Sequence, residues 1–382
     1  MRVGLGVSIG TVNTVCAVEG GIGGRKGSAR RASGPPATWR TTLTFDSTGA
    51  ARVGRIPRHG RAITDFADLT QRSAPTARVG HRALSAADLV ATVAASVLTD
   101  VRGAEPAPED GITVTHPAGY PRRRVDELRA ALDAVGLERA MLAAEPVAAT
   151  AWLEDACGPL MPGLALVYDL GGSGLRVTLV RVGAGSPGNP VVGESLRSTE
   201  FGGRAFGAQM TGSAWRSAAN PDADTDTVIT ERRRAHVRKS LEVVYRCLRV
   251  ADVTMADVDR VLVIGGAARP PEVAGVLADA LARPVIVAPD PERTVAEGAA
   301  ILARRAAEEE FGVVGPRRSW WSSGQSRIGR AGALLPGRRL TRAAVTATLV
   351  AAGALFAATA VAGDEASIGA ITADSCLIHL YR

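Results

Sequence analysis

The 382-residue sequence is poor in lysine, aromatic residues and cysteine. Its lysines are Lys26 and Lys239, and neither stands between a glycine and a serine or threonine in the manner of a P-loop, which excludes that route to phosphate binding. Aromatic residues make up 4% of the chain, so Ala and Val carry most of its 46% hydrophobic content, enough for cores of small side chains. Cys16, Cys157, Cys247 and Cys376 show no CxxC and no metal-ligand spacing. They read as reduced, mostly buried thiols, which excludes a disulfide scaffold. The N-terminus lacks the basic and apolar regions of a signal peptide. Acid is absent between Phe311 and Arg342, where Arg317, Arg318, Arg327, Arg330, Arg338, Arg339 and Arg342 account for the net charge of +7. The remaining chain is nearly neutral, so the pI of about 9.8 does not point to a nucleic-acid-binding face, and no nucleic-acid partner is expected.

What the sequence does have is glycine in three similar settings. Leu164 to Leu170 is an apolar run ending in Asp169-Leu170, followed by Gly171-Gly172-Ser173-Gly174 and a second apolar run, Leu175 to Val180. This reads as two strands around a tight turn. Glycines in such a turn let backbone N–H groups approach a bound anion, and the acid before them can hold a metal or a water beside it. Arg2 to Ser8 and Thr14 to Val18 form a second such unit around Ile9 to Asn13. Val261 to Ile264 followed by Gly265-Gly266-Ala267-Ala268 is a third, a buried strand and glycine turn leading into a helix with Pro270 and Pro271 at its start.

The remaining pattern is mixed α/β. Thr38–Phe45 and Ala50–Gly54 predict a hairpin across Asp46-Ser47-Thr48-Gly49, and the stretch from Arg55 to Arg82 carries no clear periodicity. Helices are predicted at Ala86–Val101 with Ser85 as N-cap, at Arg122–Val135 closed by Gly136, and from Ala143 through Ala151. Further helices are predicted at Gly203–Ala218, Val228–Val250 and Glu292–Glu310, with strands at Gly111–Thr115, Val191–Arg197 and Pro284–Val287. The strand–turn–strand unit near residue 10 recurs near residue 171 with similar elements after each, an internal duplication that predicts two related lobes around a ligand.

Four ordered stretches resemble the ATPase domain of the heat-shock protein 70 (DnaK-type) chaperones: Gly6 to Thr14, Ala144 to Ala149, Tyr168 to Gly172, and Val263 to Pro271. They are similar to that family's phosphate-1, connecting, phosphate-2 and adenosine motifs. Phe201 to Phe206 and Thr294 to Ala300 resemble it as well, and the likeness covers about residues 1–306. The resemblance implies an actin-like ATPase fold, two ribonuclease H-like lobes (1–163 and 164–310) closing on ATP or ADP. It implies that Gly10, Thr11, Val12 and Asn13 together with Gly171, Gly172, Ser173 and Gly174 hold the phosphates. Arg238, Lys239, Gly265, Gly266, Ala267, Ala268 and Arg269 would hold the adenosine, with Glu292 in the matching C-terminal motif. Glu145, Asp169 and Thr11 are what remains of the catalytic set, Asp169 being the one candidate Mg²⁺ ligand.

The chain departs from that family at defined points. Ser8 and Arg176 stand where the family has acids, and no lysine occurs between Lys26 and Lys239, where the family has its catalytic lysine. Mg²⁺ takes near-octahedral oxygen ligands, so losing two carboxylates and gaining a guanidinium argues against metal-assisted hydrolysis. Arg176 either takes over part of the charge neutralisation, giving metal-independent nucleotide binding, or pairs with Asp169 or lies in solvent. Nothing after Glu310 has the length or pattern of the family's peptide-binding domain.

Ala343 to Ala362 is a run of 20 uncharged residues, close to the about 20 that span a bilayer. With the arginine-rich segment 311–342 before it and the short tail 363–382 after it, the run predicts a single-pass anchor in the cell membrane with the lobes in the cytoplasm. A buried core helix is the competing reading. Three functional readings follow: a membrane-anchored, chaperone-like ATP-binding protein; a catalytically dead nucleotide-binding scaffold regulating a protein partner; and a sugar kinase-like enzyme, for which no carboxylate base stands out. Gly6-Val7-Ser8-Ile9-Gly10 also fits a serine-hydrolase elbow with Ser8 as nucleophile and His59, His81, His116 or His236 as base, but that motif needs a helix after the serine. Asp222, Asp224 and Asp226 open like a calcium loop, which then fails at Thr227 and Arg233.

Overall fold

The computed structural model describes residues 2–20, 36–56, 62–71, 76–79, 82–103, 109–183, 189–217, 225–310 and 379–381. By compactness the chain forms one unit of residues 1–321 and 377–382 and another of 322–376. The second unit, and with it the expected anchor 343–362 and most of the basic segment, lies outside the described residues. Among the described residues no helix is long and apolar enough to cross a membrane.

Within the first unit two sheets repeat one plan. The first is built from β1 (Val3–Ile9), β2 (Asn13–Gly20), β3 (Ala37–Arg40), β8 (Gly111–His116) and β9 (Met141–Ala144), ordered β3-β2-β1-β8-β9. The second uses β10 (Gly163–Leu170), β11 (Leu175–Val182), β12 (Val191–Ser198), β13 (Arg260–Ile264) and β14 (Val285–Val287), ordered β12-β11-β10-β13-β14. In each, an antiparallel hairpin continues through parallel strands: β1 pairs antiparallel with β2 and parallel with β8, as β10 does with β11 and β13. The duplication read from the two glycine turns is thus present in the strand order. Two small hairpins, β4 (Leu43–Phe45) with β5 (Ala51–Val53) and β6 (Ala77–Val79) with β7 (Arg82–Leu84), complete the first lobe. The single strand expected over Thr38–Phe45 is divided, because β3 pairs with β2 while β4 turns away to β5. A last strand, β15 (His379–Tyr381), lies antiparallel along β14.

The helices cover these sheets in a crossed arrangement. α1 (Ala86–Arg102) and α2 (Arg122–Asp133) pack on the outer face of the first sheet against Leu5, Val7 and Ile9. α1 starts at a capping box, with Ser85 Oγ accepting from the Asp88 amide at 3.2 Å and Asp88 Oδ2 accepting from the Ser85 amide at 2.8 Å. α5 (Thr225–Val250) and α6 (Pro271–Leu281) cover the outer face of the second sheet, where buried Tyr168 is satisfied by Ser240 Oγ at 2.6 Å. α4 (Gly203–Ser217) follows β12. The inner faces take α3 (Glu145–Cys157) and α7 (Thr294–Glu310), which pack on one another. α3 lies against Val167, Val180 and Leu262 of the second sheet, and α7 against Val15 and Ala17 of the first. α7 therefore follows the second lobe in sequence and packs on the first.

Glycine makes that crossing possible. A Cβ on Gly4, Gly6 or Gly111 would come within 2.2 Å of an α7 carbonyl oxygen, and one on Gly298 within 1.8 Å of the Ala148 oxygen of α3. At those separations no side chain fits, so sheet, α7 and α3 lie backbone to backbone.

Candidate functional site

The two hairpin turns are built alike. Gly10 N–H donates to Asn13 O at 3.0 Å, and Gly171 N–H donates to Gly174 O at 3.0 Å. The amides of Thr11, Val12, Gly172 and Ser173 donate no hydrogen bond among the described residues. The turns meet tip to tip. A Cβ on Gly172 would lie 2.3 Å from Val12 Cγ2, so a side chain there would have to displace Val12. The third turn is held beneath them by Gly265, whose φ is +95° and whose absent Cβ would fall 2.4 Å from Leu170 O.

All three turns line one cavity of about 440 Å³ between the lobes. Of the residues singled out from the sequence, Gly10, Thr11, Val12, Asn13, Glu145, Asp169, Gly171, Gly172, Ser173, Gly174, Arg176, Gly265, Gly266, Ala267, Arg269 and Glu292 line it. Ala268, the last residue of the third turn, is buried and does not line the cavity. Arg238 and Lys239 stand exposed on α5 and are not among the residues lining the cavity. Ser8 lies on the cavity wall, but β1 runs on to Ile9 and returns as β2, so the helix required after a nucleophilic serine is not there. His116 Nδ1 is engaged by Pro117 O at 2.9 Å, and His236 sits between Phe201 and Phe206. His59, His81, Asp222 and Asp224 lie outside the described residues, and Asp226 is in α5.

The floor of the cavity is a buried charge cluster. Arg176 Nη1 lies 3.4 Å from Glu145 Oε2 and 3.4 Å from Asp169 Oδ2. The Glu145 and Asp169 side chains are 10% and 17% exposed, which leaves little solvent to screen them. Burial pushes the Asp169 carboxyl up to about 7, with Arg176 opposing the rise and the charge of Glu145 adding to it. Burial raises Glu145 too, again against Arg176. For Arg176 the balance reverses: burial disfavours its charge, but Glu145 and Asp169 outweigh burial and hold it protonated. Of the alternatives open for Arg176 in the sequence, the paired state is the one found. The guanidinium stands between the two carboxylates, and among the described residues no group of three or more acids, histidines or cysteines could hold a metal by protein ligands alone. Mg²⁺ beside a nucleotide takes most of its oxygens from phosphate and water and needs one or two carboxylates, so Glu145 or Asp169 would serve it only by giving up Arg176.

The rim is also made of arginine–carboxylate pairs, and several were not anticipated. Arg204 Nη1 lies 2.9 Å from Asp65 Oδ1, and Arg197 Nη1 lies 2.6 Å from Asp68 Oδ2. Both join the second lobe to residues 65–68 of the first. Arg204 sat within a motif that drew notice as a whole; Arg197 and the two aspartates gave no local signal. On the third side, Arg269 Nη2 reaches Glu292 Oε2 at 2.5 Å and Asp290 Oδ1 at 3.0 Å, while Asn13 Nδ2 donates to Glu292 Oε1 from the opposite lobe.

With this geometry in hand, likeness to known proteins is informative. Residues 231–307 match the model of the FGGY family of carbohydrate kinases, C-terminal domain. A chaperone protein HscA homolog from Aliivibrio salmonicida (strain LFI1238) is 26% identical over 227 residues, covering 51% of this chain and 36% of the relative. Another, from Acidithiobacillus ferrooxidans (strain ATCC 53993 / BNL-5-31), is 26% identical over 238 residues, 53% of this chain and 38% of the relative. These likenesses support the actin-like ATPase superfamily. The duplicated sheets, the crossed α3 and α7, and the cavity at the turns fit that superfamily. The chain spans little more than a third of the length of the chaperone relatives it matches.

Proposed function

We propose that this chain is a nucleotide-binding module of chaperone-related type, taking ATP or ADP in the cleft between its lobes and using nucleotide to set how the lobes close on one another. The observation that carries this reading is the meeting of three glycine turns on one cavity, with the amides of Thr11, Val12, Gly172 and Ser173 directed to no other partner among the described residues. Successive amides of that kind bind phosphate oxygens. Gly266, Ala267 and Arg269 would face the nucleoside, and Glu292 would span the lobes beside it. Behind the phosphates the fixed charge is that of Arg176; although paired with Glu145 and Asp169, it would turn part of its charge to the phosphates, so that binding needs no divalent ion and metal-assisted hydrolysis is weak or lost. Ligand-driven closure then regulates a protein partner or client, because a ligand that contacts both lobes favours the closed state by its differential affinity.

Calorimetric titration with ATP and ADP, in EDTA and in Mg²⁺, tests the reading. Binding of similar strength in both buffers supports it. A strict requirement for Mg²⁺ overturns the role given to Arg176, and absence of binding at millimolar nucleotide overturns the cleft reading. The match to a carbohydrate-kinase domain favours a second reading, phosphoryl transfer to a sugar. Glu145 and Asp169 are both engaged by Arg176, so the base for that reaction would have to come from elsewhere; sugar-dependent release of ADP would support it.

Anchoring through residues 343–362 is a separate proposal, supported by the basic flank and the length of the uncharged run. It competes with β15. A single span would put residues 363–382 across the bilayer from the lobes, whereas β15 lies along β14. Protease accessibility of the C-terminus in sealed cells separates the two.

A further inference from the structure

Four arginines line the cavity, and they are not equally committed. Arg176 is locked between two buried carboxylates. Arg197 is tied to Asp68, whose side chain is 1% exposed, and to Thr70 Oγ1 at 3.3 Å. Arg269 holds both Glu292 and Asp290. Arg204, like Arg197, faces a single carboxylate, but whereas Asp68 is buried, the pair of Arg204 with Asp65 is about half exposed on both sides. Such a pair is weakly held.

Arg204 is also the one placed to touch both phosphate turns. Its backbone N–H donates to Gly172 O at 2.9 Å, which fixes its Cα against the second turn. Its Nη2 reaches the carbonyl oxygen of Thr11 in the first turn at 3.4 Å. The Asp65 carboxylate it meets is shared with Thr64 Oγ1 at 3.0 Å. A terminal phosphate offers a guanidinium more charge and more oxygens than a shared carboxylate, in a geometry that suits two parallel N–H···O bonds.

We propose that Arg204 sets the preference of this cleft for a nucleoside triphosphate over a diphosphate, by leaving Asp65 for the outermost phosphate while the turn amides hold the inner ones. The inference rests on the nucleotide reading above. It concerns a side chain of the second lobe that reaches across to the first, so the same exchange makes lobe closure respond to the length of the phosphate chain.

The test is calorimetry on the full chain in EDTA with ATP and ADP, for wild type, Arg204→Gln and Asp65→Asn. Wild type binds ATP roughly ten-fold tighter than ADP, about 1.4 kcal/mol. Arg204→Gln brings that ratio to about one and leaves ADP affinity within about two-fold, since the inner phosphates lie on the turns. Asp65→Asn releases the guanidinium and raises ATP affinity by a few-fold with ADP unchanged; asparagine accepts the left-handed backbone of residue 65, φ +59°. Arg204→Lys recovers part of the ratio. Equal affinity of wild type for ATP and ADP, or equal loss of both in Arg204→Gln, overturns this inference and leaves the nucleotide reading standing. Failure of wild type to bind either nucleotide overturns both.

Discussion

The two hairpins share a backbone and differ in what they carry. Ser8 lies opposite Val15 across the first, two residues before and two after the turn; Asp169 lies opposite Arg176 at the same places in the second. All four face the same cavity. In the first hairpin the inner face is uncharged, and the lobe supplies amides and little else to the floor. In the second, the same positions carry an ion pair that Glu145 of α3 turns into a trio. Duplication thus accounts for the frame that presents amides, and the charge was placed on one copy alone. The charge on the floor comes from the second hairpin and from Glu145 of α3, while two of the rim's ion pairs, Arg197–Asp68 and Arg204–Asp65, cross between lobes.

Making the second hairpin like the first breaks this comparison most severely. Arg176→Val leaves Glu145 and Asp169 buried together without a cation, which costs roughly 3–5 kcal/mol of stability when both are ionised. Both carboxyls already sit above their ordinary range. Acid therefore protonates one of them and relieves the repulsion. Urea unfolding at pH 5.5 and pH 8 checks this: the deficit is larger at pH 8, and a loss that does not vary with pH would show that Arg176 acts through packing alone.

The contact between the turns is the next largest effect. Gly172→Ala drives a methyl onto Val12, and overpacking of this kind costs about 1–3 kcal/mol. In a Val12→Ala background the offending Cγ2 is gone, so a double-mutant cycle gives a favourable coupling between the two changes. Additive losses would mean that the turns do not touch.

Asp169 sharpens the comparison through pH. Its folded pKa of about 7 lies above the roughly 3.9 of an unfolded aspartate, so between those values the folded chain binds the extra proton. This group's contribution to stability is full below about pH 4 and is lost as pH rises through about 7. Asp169→Asn removes that dependence and leaves Arg176 paired one to one with Glu145. Relative to wild type the variant gains stability as pH rises from 5 to 8, with a slope of at most about 1.4 kcal/mol per pH unit. Chemical denaturation across that range reads the slope, and a wild-type stability that rises over the interval would contradict the shift.

These contrasts also mark what was legible in the sequence. Local chemistry was: the strand–turn–strand units, the Ser85 cap of α1, the long α5 and the α/β order all follow from neighbours in the chain. The three glycine turns were recognisable because a tight turn after an apolar strand needs glycine where it occurs. Other glycines gave no such signal. Gly4, Gly6, Gly111 and Gly298 are required by a helix that arrives from the far end of the sequence, and nothing near them in the chain says so. Strand β9 has only Met141–Ala144 and is defined by pairing with β8. The rim pairs join residues 139 positions apart at Arg204 and Asp65, a proximity fixed by how the lobes meet. Arg238 and Lys239 went the other way: resemblance pointed them at the nucleoside, and α5 presents them to solvent with Val237 and Ser240 buried beside them.

The smallest expected effect lies on the rim at Arg269. Its guanidinium bonds Glu292 and Asp290, but its side chain is 52% exposed, and exposed pairs contribute about 0.2–1 kcal/mol. Arg269→Gln removes both pairs and leaves Glu292 its bond from Asn13, so the link between the first turn and the third survives. The loss should therefore stay within that range, and it should shrink in high salt because screening reaches exposed charges and spares buried ones. Thermal melts at low and high ionic strength measure it. If the loss exceeds about 2 kcal/mol or ignores salt, Arg269 is as integral as Arg176, and a locked floor no longer contrasts with this side of the rim.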